Sequence, residues 1–143
     1  LAYGIILSLT LLAIIGWSLT RDNFEVSVIR DRQALYRINS DGDIENSFLI
    51  KILNKTLFAQ QYSVTLDENK VPENDTKLSI YGGESLHVLP GEQSSHVIYL
   101  VSSSGKNDLQ LAGKIKVTFR IHKDNSDEVV RKSSIFYHGT GAW

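Results

Sequence analysis

The hydrophobic and polar positions divide the chain into two parts. The first twenty residues, Leu1 to Thr20, carry no charged side chain, and every charged residue follows them. A helix of this length spans about 30 Å, the thickness of a bilayer's hydrocarbon core. Tyr3 and Trp17 lie near the two ends of the run, where aromatic rings settle at the headgroups. We therefore predict a transmembrane helix over residues 1–20 and a soluble domain over residues 21–143.

Two other interpretations of the apolar run fit it less well. A buried core helix of this length normally carries a polar stripe. A signal peptide needs a basic start, a shorter apolar stretch and a small-residue cleavage site, which Ser18 and Thr20 imitate only poorly. Because the chain begins with Leu and contains no Met, we expect it to be the C-terminal piece of a longer protein.

From residue 24 onward, short apolar runs with a period of two alternate with turn residues, the pattern of half-buried β-strands. In the clearest run, residues 114–122, the alternation predicts that four apolar side chains face a core while Lys116 and Arg120 face solvent. The candidate strands are Phe24–Val28, Phe48–Ile52, Tyr62–Leu66, Leu78–Ile80, Val97–Val101, Lys114–His122 and Val129–Tyr137. Turns are expected at Asp41–Gly42, 67–75, Gly82–Gly83, Leu89–Glu92, 102–108 and 124–127, with Pro90–Gly91 suited to a type II turn.

This pattern predicts an all-β domain, an immunoglobulin-like antiparallel β-sandwich of about seven strands, preceded by one N-terminal transmembrane helix. A closed barrel is the main competing architecture. The antibody type is excluded because the chain has no cysteine and its two tryptophans, Trp17 and Trp143, lie outside the strands. The strand around Val97 is apolar on both faces, so it is either covered or exposes a partner-binding patch. Because large exposed apolar patches are rare, we expect it to be covered.

Composition narrows the function further. The chain has 15 basic and 16 acidic residues, a net charge of -1, so it lacks the basic field that gathers nucleic acid. The absence of cysteine excludes disulfides, thiolate metal sites, iron–sulfur ligation and cysteine nucleophiles within this chain.

No catalytic, cofactor or metal site emerges from the spacing of the chemically active residues. The four histidines, at positions 87, 96, 122 and 138, are far apart in sequence and no two share a strand at i, i+2. The oxygen-rich stretch Asn39–Asp43 with Glu45 lacks the spacing of a calcium loop, so we predict an Asp-Gly hairpin turn there. Ser102–Gly105 contains neither a nucleophile elbow nor a phosphate-loop motif and is predicted to be a loop.

The stretch after the apolar run is the best candidate for a contact site. Its alternating charges and one aromatic residue can form a docking surface, in which arginine forks bind carboxylates of a neighbouring membrane subunit or of the same protein. A solvated strand with headgroup contacts, or internal ion pairs, is the alternative. The candidate contact residues are Arg30, Asp31, Arg32, Tyr36 and Arg37.

The same stretch carries a family resemblance. The chain resembles the C-terminal part of the FixG family, also called CcoG or cytochrome c oxidase accessory proteins, over essentially its whole length. The matching segments follow the apolar helix and are Arg21-Asp22, Phe24–Val26, Val28–Arg32, Leu35–Arg37, Asp43–Asn46, Leu49–Ile52 and Asn54-Lys55, with the turn Pro90–Glu92.

The resemblance implies a multi-span protein of the bacterial inner membrane, with cytoplasmic iron–sulfur clusters and an immunoglobulin-like domain in the periplasm. It implies a role in assembling the copper-containing cbb3-type oxidase and in handling copper. The family's redox residues are cysteines, and this chain has none, so the resemblance assigns no redox residue to it. The positive-inside rule by itself would place the arginines after the helix on the cytoplasmic side.

Three functions follow as hypotheses. The first is a non-catalytic, non-enzymatic interaction domain that contacts the membrane, the other spans of its own protein or an oxidase subunit. The second is a periplasmic copper-binding module that uses histidine and carboxylate ligands. The third is a membrane-anchored adhesion or glycan-binding sandwich, for which Tyr99 and Tyr137 are the faint aromatic candidates.

Overall fold

The chain begins with a single α-helix, α1 (Ala2–Leu19), in a computed structural model that describes residues 1–20, 22–67, 77–103 and 113–138. Of Gly113 and His138 only the backbone is described. The helix is long and apolar enough to cross a membrane, a test that a signal sequence also passes, and none of its residues is buried. The hydroxyls of Ser8 and Thr10 donate to the carbonyl oxygens of Gly4 and Ile6, so both are satisfied within the helix.

Among the described residues, nine strands follow, all paired antiparallel, in two sheets. The strands are β1 (Phe24–Arg30), β2 (Arg37–Ile38), β3 (Ile44–Asn54), β4 (Gln60–Leu66), β5 (Lys77–Tyr81), β6 (Leu86–Val88), β7 (Gln93–Ser103), β8 (Gly113–Lys123) and β9 (Val129–His138). The first sheet has the order β1-β3-β7-β5, with β2 paired to the start of β3, and the second has the order β6-β4-β8-β9. The architecture is the predicted immunoglobulin-like sandwich.

The core lies between the inner faces of the two sheets. The rings of Phe48 on β3 and Phe119 on β8 meet edge to face with centroids 5.1 Å apart, and Phe24 on β1 packs against Tyr62 on β4 at 4.9 Å. All four are buried. Because period-two alternation sends every second residue inward, each of these strands buries its apolar set against the opposite sheet.

The alternation predicted for residues 114–122 is confirmed. Val117, Phe119 and Ile121 are fully buried, Ile115 packs against the core, and Lys116 is exposed. Thr118, on the opposite face, is also buried at 2% exposure, and Arg120 is only partly exposed. β8 is therefore a central strand, as its pairing with both β4 and β9 requires.

The turns follow the local chemistry that predicts them. Asp41–Gly42 lies in the hairpin between β2 and β3, where Gly42 has a φ of 85° and the Asn39 side chain accepts the Asp41 and Asp43 amides. In the Leu89–Glu92 turn, Gly91 has a φ of 66° and the Glu92 amide donates to the Leu89 carbonyl. The predicted turns at 67–75 and 102–108 fall largely outside the described residues. The strands β2 and β6 were not predicted, since two or three residues are too short to show a period.

The prediction that the Val97 strand is covered is wrong. In β7, Ile98 and Leu100 are fully buried, whereas Val97 is 48% exposed and Tyr99 is 39% exposed. Only one face of the first sheet packs on the core, so the second apolar face of β7 points away from the core and is exposed.

Candidate interaction surface

The candidate contact residues begin at the C-terminal end of β1, where the edges of the two sheets meet. The guanidinium carbon of Arg30 lies 4.2 Å from the centroid of the Tyr137 ring on β9, a cation–π geometry. Lys114 on β8 approaches the same ring, with its ammonium 5.6 Å from the centroid. Arg30 is partly buried, so the stack ties the first sheet to the second across their open edge.

The chain after Arg30 is held to β3 by Asp31. The Asp31 amide donates to the Ser47 carbonyl at 3.2 Å, and its carboxylate accepts the Gln33 amide at 2.9 Å. Arg37 lies 4.0 Å from the same carboxylate, a partly exposed ion pair of the weak surface type. Tyr36 packs against the core.

Arg32 is exposed and borders open space. A shallow groove of about 400 Å³ lies at this point, and Ile29, Arg30, Arg32, Leu49 and Val97 are among the residues that line it. We call it the arginine groove. The structure therefore brings Arg30, Asp31 and Arg32 together around one groove, while Tyr36 turns to the core.

The floor of the arginine groove continues into an apolar row on the outer face of the first sheet. Ile29 pairs with Leu49 across β1 and β3, and Leu49 pairs with Val97 across β3 and β7. One register step away, Tyr99 pairs with Tyr81 across β7 and β5. The exposed members of this surface, Ile29, Val97, Tyr99 and Tyr81, are 38–57% exposed. An arginine-rimmed apolar surface of this kind is typical of a protein contact site.

The groove lies at the end of the sandwich away from α1. The chain enters the sandwich at Phe24, and β1 then carries it about 20 Å to Arg30 at roughly 3.3 Å per residue. Arg30 therefore lies about one strand length from the point where α1 joins the domain. An extended strand separates residues far more than a helix of equal length would.

Among the described side chains, His87 and His122 lie on the outer face of the second sheet, and His96 lies in the first sheet. His96 on β7 lies on the inward side of its strand, and burial lowers its pKa. The His122 ring lies 3.4 Å from the Thr65 hydroxyl on the partly exposed face of the second sheet, and His87 is exposed. Within the described ranges, no three His, Asp or Glu side chains are grouped so as to hold a metal ion.

One further titrating group lies in the core. Burial raises the pKa of Tyr62, and the negative charge of Glu128 raises it further. The hydroxyl of Tyr62 makes no hydrogen bond with any part of the chain that the structure describes.

The alternating charges after the apolar run indicate the arginines, whereas the apolar row beside them was not predicted. The signal was present in β7, which is apolar on both faces, but the preference for covered strands outweighed it. Leu49 gave no separate signal, because the period-two pattern assigns the core face of this strand to its neighbours, Phe48 and Ile50, and both are buried.

The fold defines an immunoglobulin-like sandwich domain, and the arginine groove with its apolar row is its candidate contact site. A family model described as "IG-like fold at C-terminal of FixG, putative oxidoreductase" matches residues 14–139. The chain therefore belongs to the FixG C-terminal domain family, as its sequence resemblance implied.

Solved structures agree with this assignment. A crystal structure of a FixG-related protein from Vibrio parahaemolyticus superposes with a TM-score of 0.65 at 26% identity, covering 82% of this chain and 97% of that one. The GAE domain of yeast GGA1 gives a TM-score of 0.44 at 12% identity, covering 85% and 95% of the two chains, which is too distant to bear on function. No curated protein matches the chain.

Proposed function

We propose that this chain is a non-catalytic, membrane-anchored interaction domain of a FixG-type iron–sulfur protein. In this proposal residues 1–20 form the last span of the protein in the bacterial inner membrane, and residues 21–143 form a periplasmic domain. The whole protein takes part in assembly of the cbb3-type cytochrome c oxidase and in copper handling, and its iron–sulfur clusters lie outside this chain. Family membership supports this role.

The observation that carries the proposal is the arginine groove with its apolar row. The exposed Val97 and Tyr99 offer apolar area for a partner, and Arg32 offers a planar fork that binds a carboxylate through two hydrogen bonds. Interface energy concentrates in such aromatic and arginine residues. The surface therefore fits a partner that presents an apolar patch flanked by an acidic side chain, supplied by an oxidase subunit or by another span of the same protein.

The test places a charge in the apolar row without touching the core. Val97→Lys in the full-length protein should lower the amount of assembled oxidase in cells, because it puts an ammonium where the partner's apolar surface docks. Thr65→Lys is the matched control, since Thr65 is also an exposed β-branched strand residue but lies on the second sheet.

Both variants should keep the wild-type melting temperature when purified. Normal oxidase assembly with a stably folded Val97→Lys protein would show that the apolar row is not the contact site. Equal loss with both variants would also count against the proposal, since a specific surface distinguishes the two faces.

A further inference from the structure

A second set of exposed apolar side chains lies away from the arginine groove. Leu57 and Phe58, in the loop between β3 and β4, are 86% and 74% exposed, and Leu89, at the start of the turn between β6 and β7, is 48% exposed. We call these three residues the apolar tips. Adjacent Leu and Phe side chains that are almost completely exposed require an explanation, because full burial of either would stabilise the chain by about 1.5–3 kcal/mol.

The loop that presents Leu57 and Phe58 is firmly held. The buried Asn54 side chain donates to the Phe58 carbonyl at 2.8 Å and accepts the Thr56 amide at 2.9 Å. The Thr56 hydroxyl lies 2.7 Å from Asn54 Oδ1 and 2.9 Å from the Phe58 carbonyl oxygen, and its single proton is donated to one of these two acceptors. These bonds fix the loop backbone, so the outward direction of the two side chains is part of the fold.

The same asparagine holds the second tip. The Asn54 amide group donates to the Val88 carbonyl at 3.1 Å, and its backbone carbonyl accepts the Gly91 amide at 2.9 Å. Leu89 lies between these two contact points. One buried residue therefore positions both apolar tips at the same end of the sandwich.

That end is where α1 joins the domain. Phe24, the first residue of β1, pairs with Asn54, the last residue of β3. Only residues 20–23 separate the helix from β1, and four extended residues reach at most about 14 Å. This short linker keeps the end of α1 close to the end of the sandwich that carries the apolar tips. Its reach is comparable to the thickness of a headgroup layer with the adjoining acyl region.

We propose that the apolar tips insert into the interfacial region of the lipid bilayer beside the end of α1 and thereby seat the sandwich on the membrane. This inference rests on the proposed function, in which α1 spans the bilayer. The charged residues that adjoin this end in the sequence carry no net positive charge, with Arg21 and Lys55 against Asp22, Glu25 and Glu92, and Lys55 is paired with Glu25. A zwitterionic lipid surface therefore suits this end better than an anionic one, and it is contacted through Leu and Phe rather than through charge.

The seating also explains the position of the arginine groove. With the tips at the bilayer, β1 and β3 lead away from the membrane, and the groove lies near the opposite end of the domain. β3 alone spans about 30 Å between Glu45 and Asn54. The sandwich would present its contact surface at a defined height above the lipid.

The experiment uses the natural absence of cysteine in this chain. Phe58→Cys and, separately, Leu57→Cys are labelled with a polarity-sensitive fluorophore in the full chain and reconstituted in phosphatidylcholine vesicles. Leu35→Cys is the matched control, because Leu35 is an exposed loop leucine, at 52%, near the other end of the sandwich. Nitroxide-labelled lipid then reports contact with the bilayer by quenching, and circular dichroism confirms that each variant is folded.

We expect a blue-shifted emission and strong quenching by shallow nitroxide lipid at positions 57 and 58, and neither effect at position 35. Leu11→Cys, labelled in the same way near the middle of α1, reports separately by quenching with deep nitroxide lipid whether the helix is inserted. If the label at position 11 is quenched but the labels at 57 and 58 remain in water, the tips do not bind lipid and this inference is wrong while the anchor stands. If the label at position 11 is not quenched, α1 is not inserted, so the anchoring in the proposed function fails and this inference fails with it.

Discussion

The side-chain amide of Asn54 donates a hydrogen bond to the carbonyl oxygen of Val88 at 3.1 Å, and both residues are buried. Asn54 ends β3 in the first sheet and Val88 ends β6 in the second, so the bond joins the two sheets at the α1 end. At the other end of β3, the buried Asn46 exchanges hydrogen bonds with the backbone of Tyr137 on β9, at 3.0 and 2.9 Å. β3 thus carries one sheet-bridging asparagine near each end.

Replacing Asn54 by Ala should destabilise the domain by about 1–3 kcal/mol, because buried carbonyls that it satisfies would lose their partner. Urea denaturation of the full chain in detergent, followed by circular dichroism, measures the free energy of unfolding. Gln93→Ala is the control, since Gln93 is exposed on β7 and should change stability by less than about 0.5 kcal/mol. An unchanged midpoint for Asn54→Ala would mean that the asparagine is not a structural tie.

Phe119→Ala should cost about 3–5 kcal/mol, because the ring is fully buried and packs edge to face on Phe48. The same denaturation measurement tests this, with the exposed Lys116→Ala on the same strand as control. A loss below about 1 kcal/mol would contradict the central position of β8 in the core.

The arginines should separate into two kinds. Arg30→Ala should lower the free energy of unfolding by about 0.5–1 kcal/mol, because it removes the stack on Tyr137. Arg32→Ala should leave stability unchanged and reduce oxidase assembly in cells, and Arg32→Lys should fail nearly as badly because an ammonium cannot reproduce the bidentate fork. Normal assembly with both Arg32 variants would make Arg32 a solvated residue rather than a docking one.

Stability should fall as the pH drops below about 6.5, because burial lowers the pKa of His96 from its ordinary value of 6.5. In that window the unfolded chain binds a proton that the folded chain does not, and the folded state loses free energy relative to it. The slope should stay below the limit of about 1.4 kcal/mol per pH unit for one proton, since the imidazole is only partly shielded from water. His96→Gln should flatten the profile in this window.

Copper titration distinguishes the interaction domain from the copper-binding module. Calorimetry of the full chain with Cu(I) and with Cu(II) should show no stoichiometric site tighter than micromolar, about -8 kcal/mol. A one-to-one site that disappears when two particular histidines are replaced would instead establish the copper-binding hypothesis. The result would bear on the handling of copper by this domain alone, not by the rest of the protein.

Local pattern was enough to predict the sandwich. The alternation in residues 114–122 has one arrangement that buries its whole apolar set. The apolar run before residue 21 is long and uniform enough to predict a helix of spanning length. The sequence therefore specifies both elements directly. The same holds for the Pro90–Gly91 turn, where positive φ selects glycine. The short strands β2 and β6 were beyond this reasoning because their existence depends on pairing with β3 and β4.

The apolar helix, the alternating strands and most of the turns can be predicted from the sequence, because they depend on neighbours within a few residues. The outward apolar face of β7, the stack of Arg30 on Tyr137 and the shared position of Leu57 and Leu89 at the α1 end follow only from the packed fold. Each of these depends on which strand edges and loops the two sheets bring together, and that pairing is set by the whole core rather than by any local period.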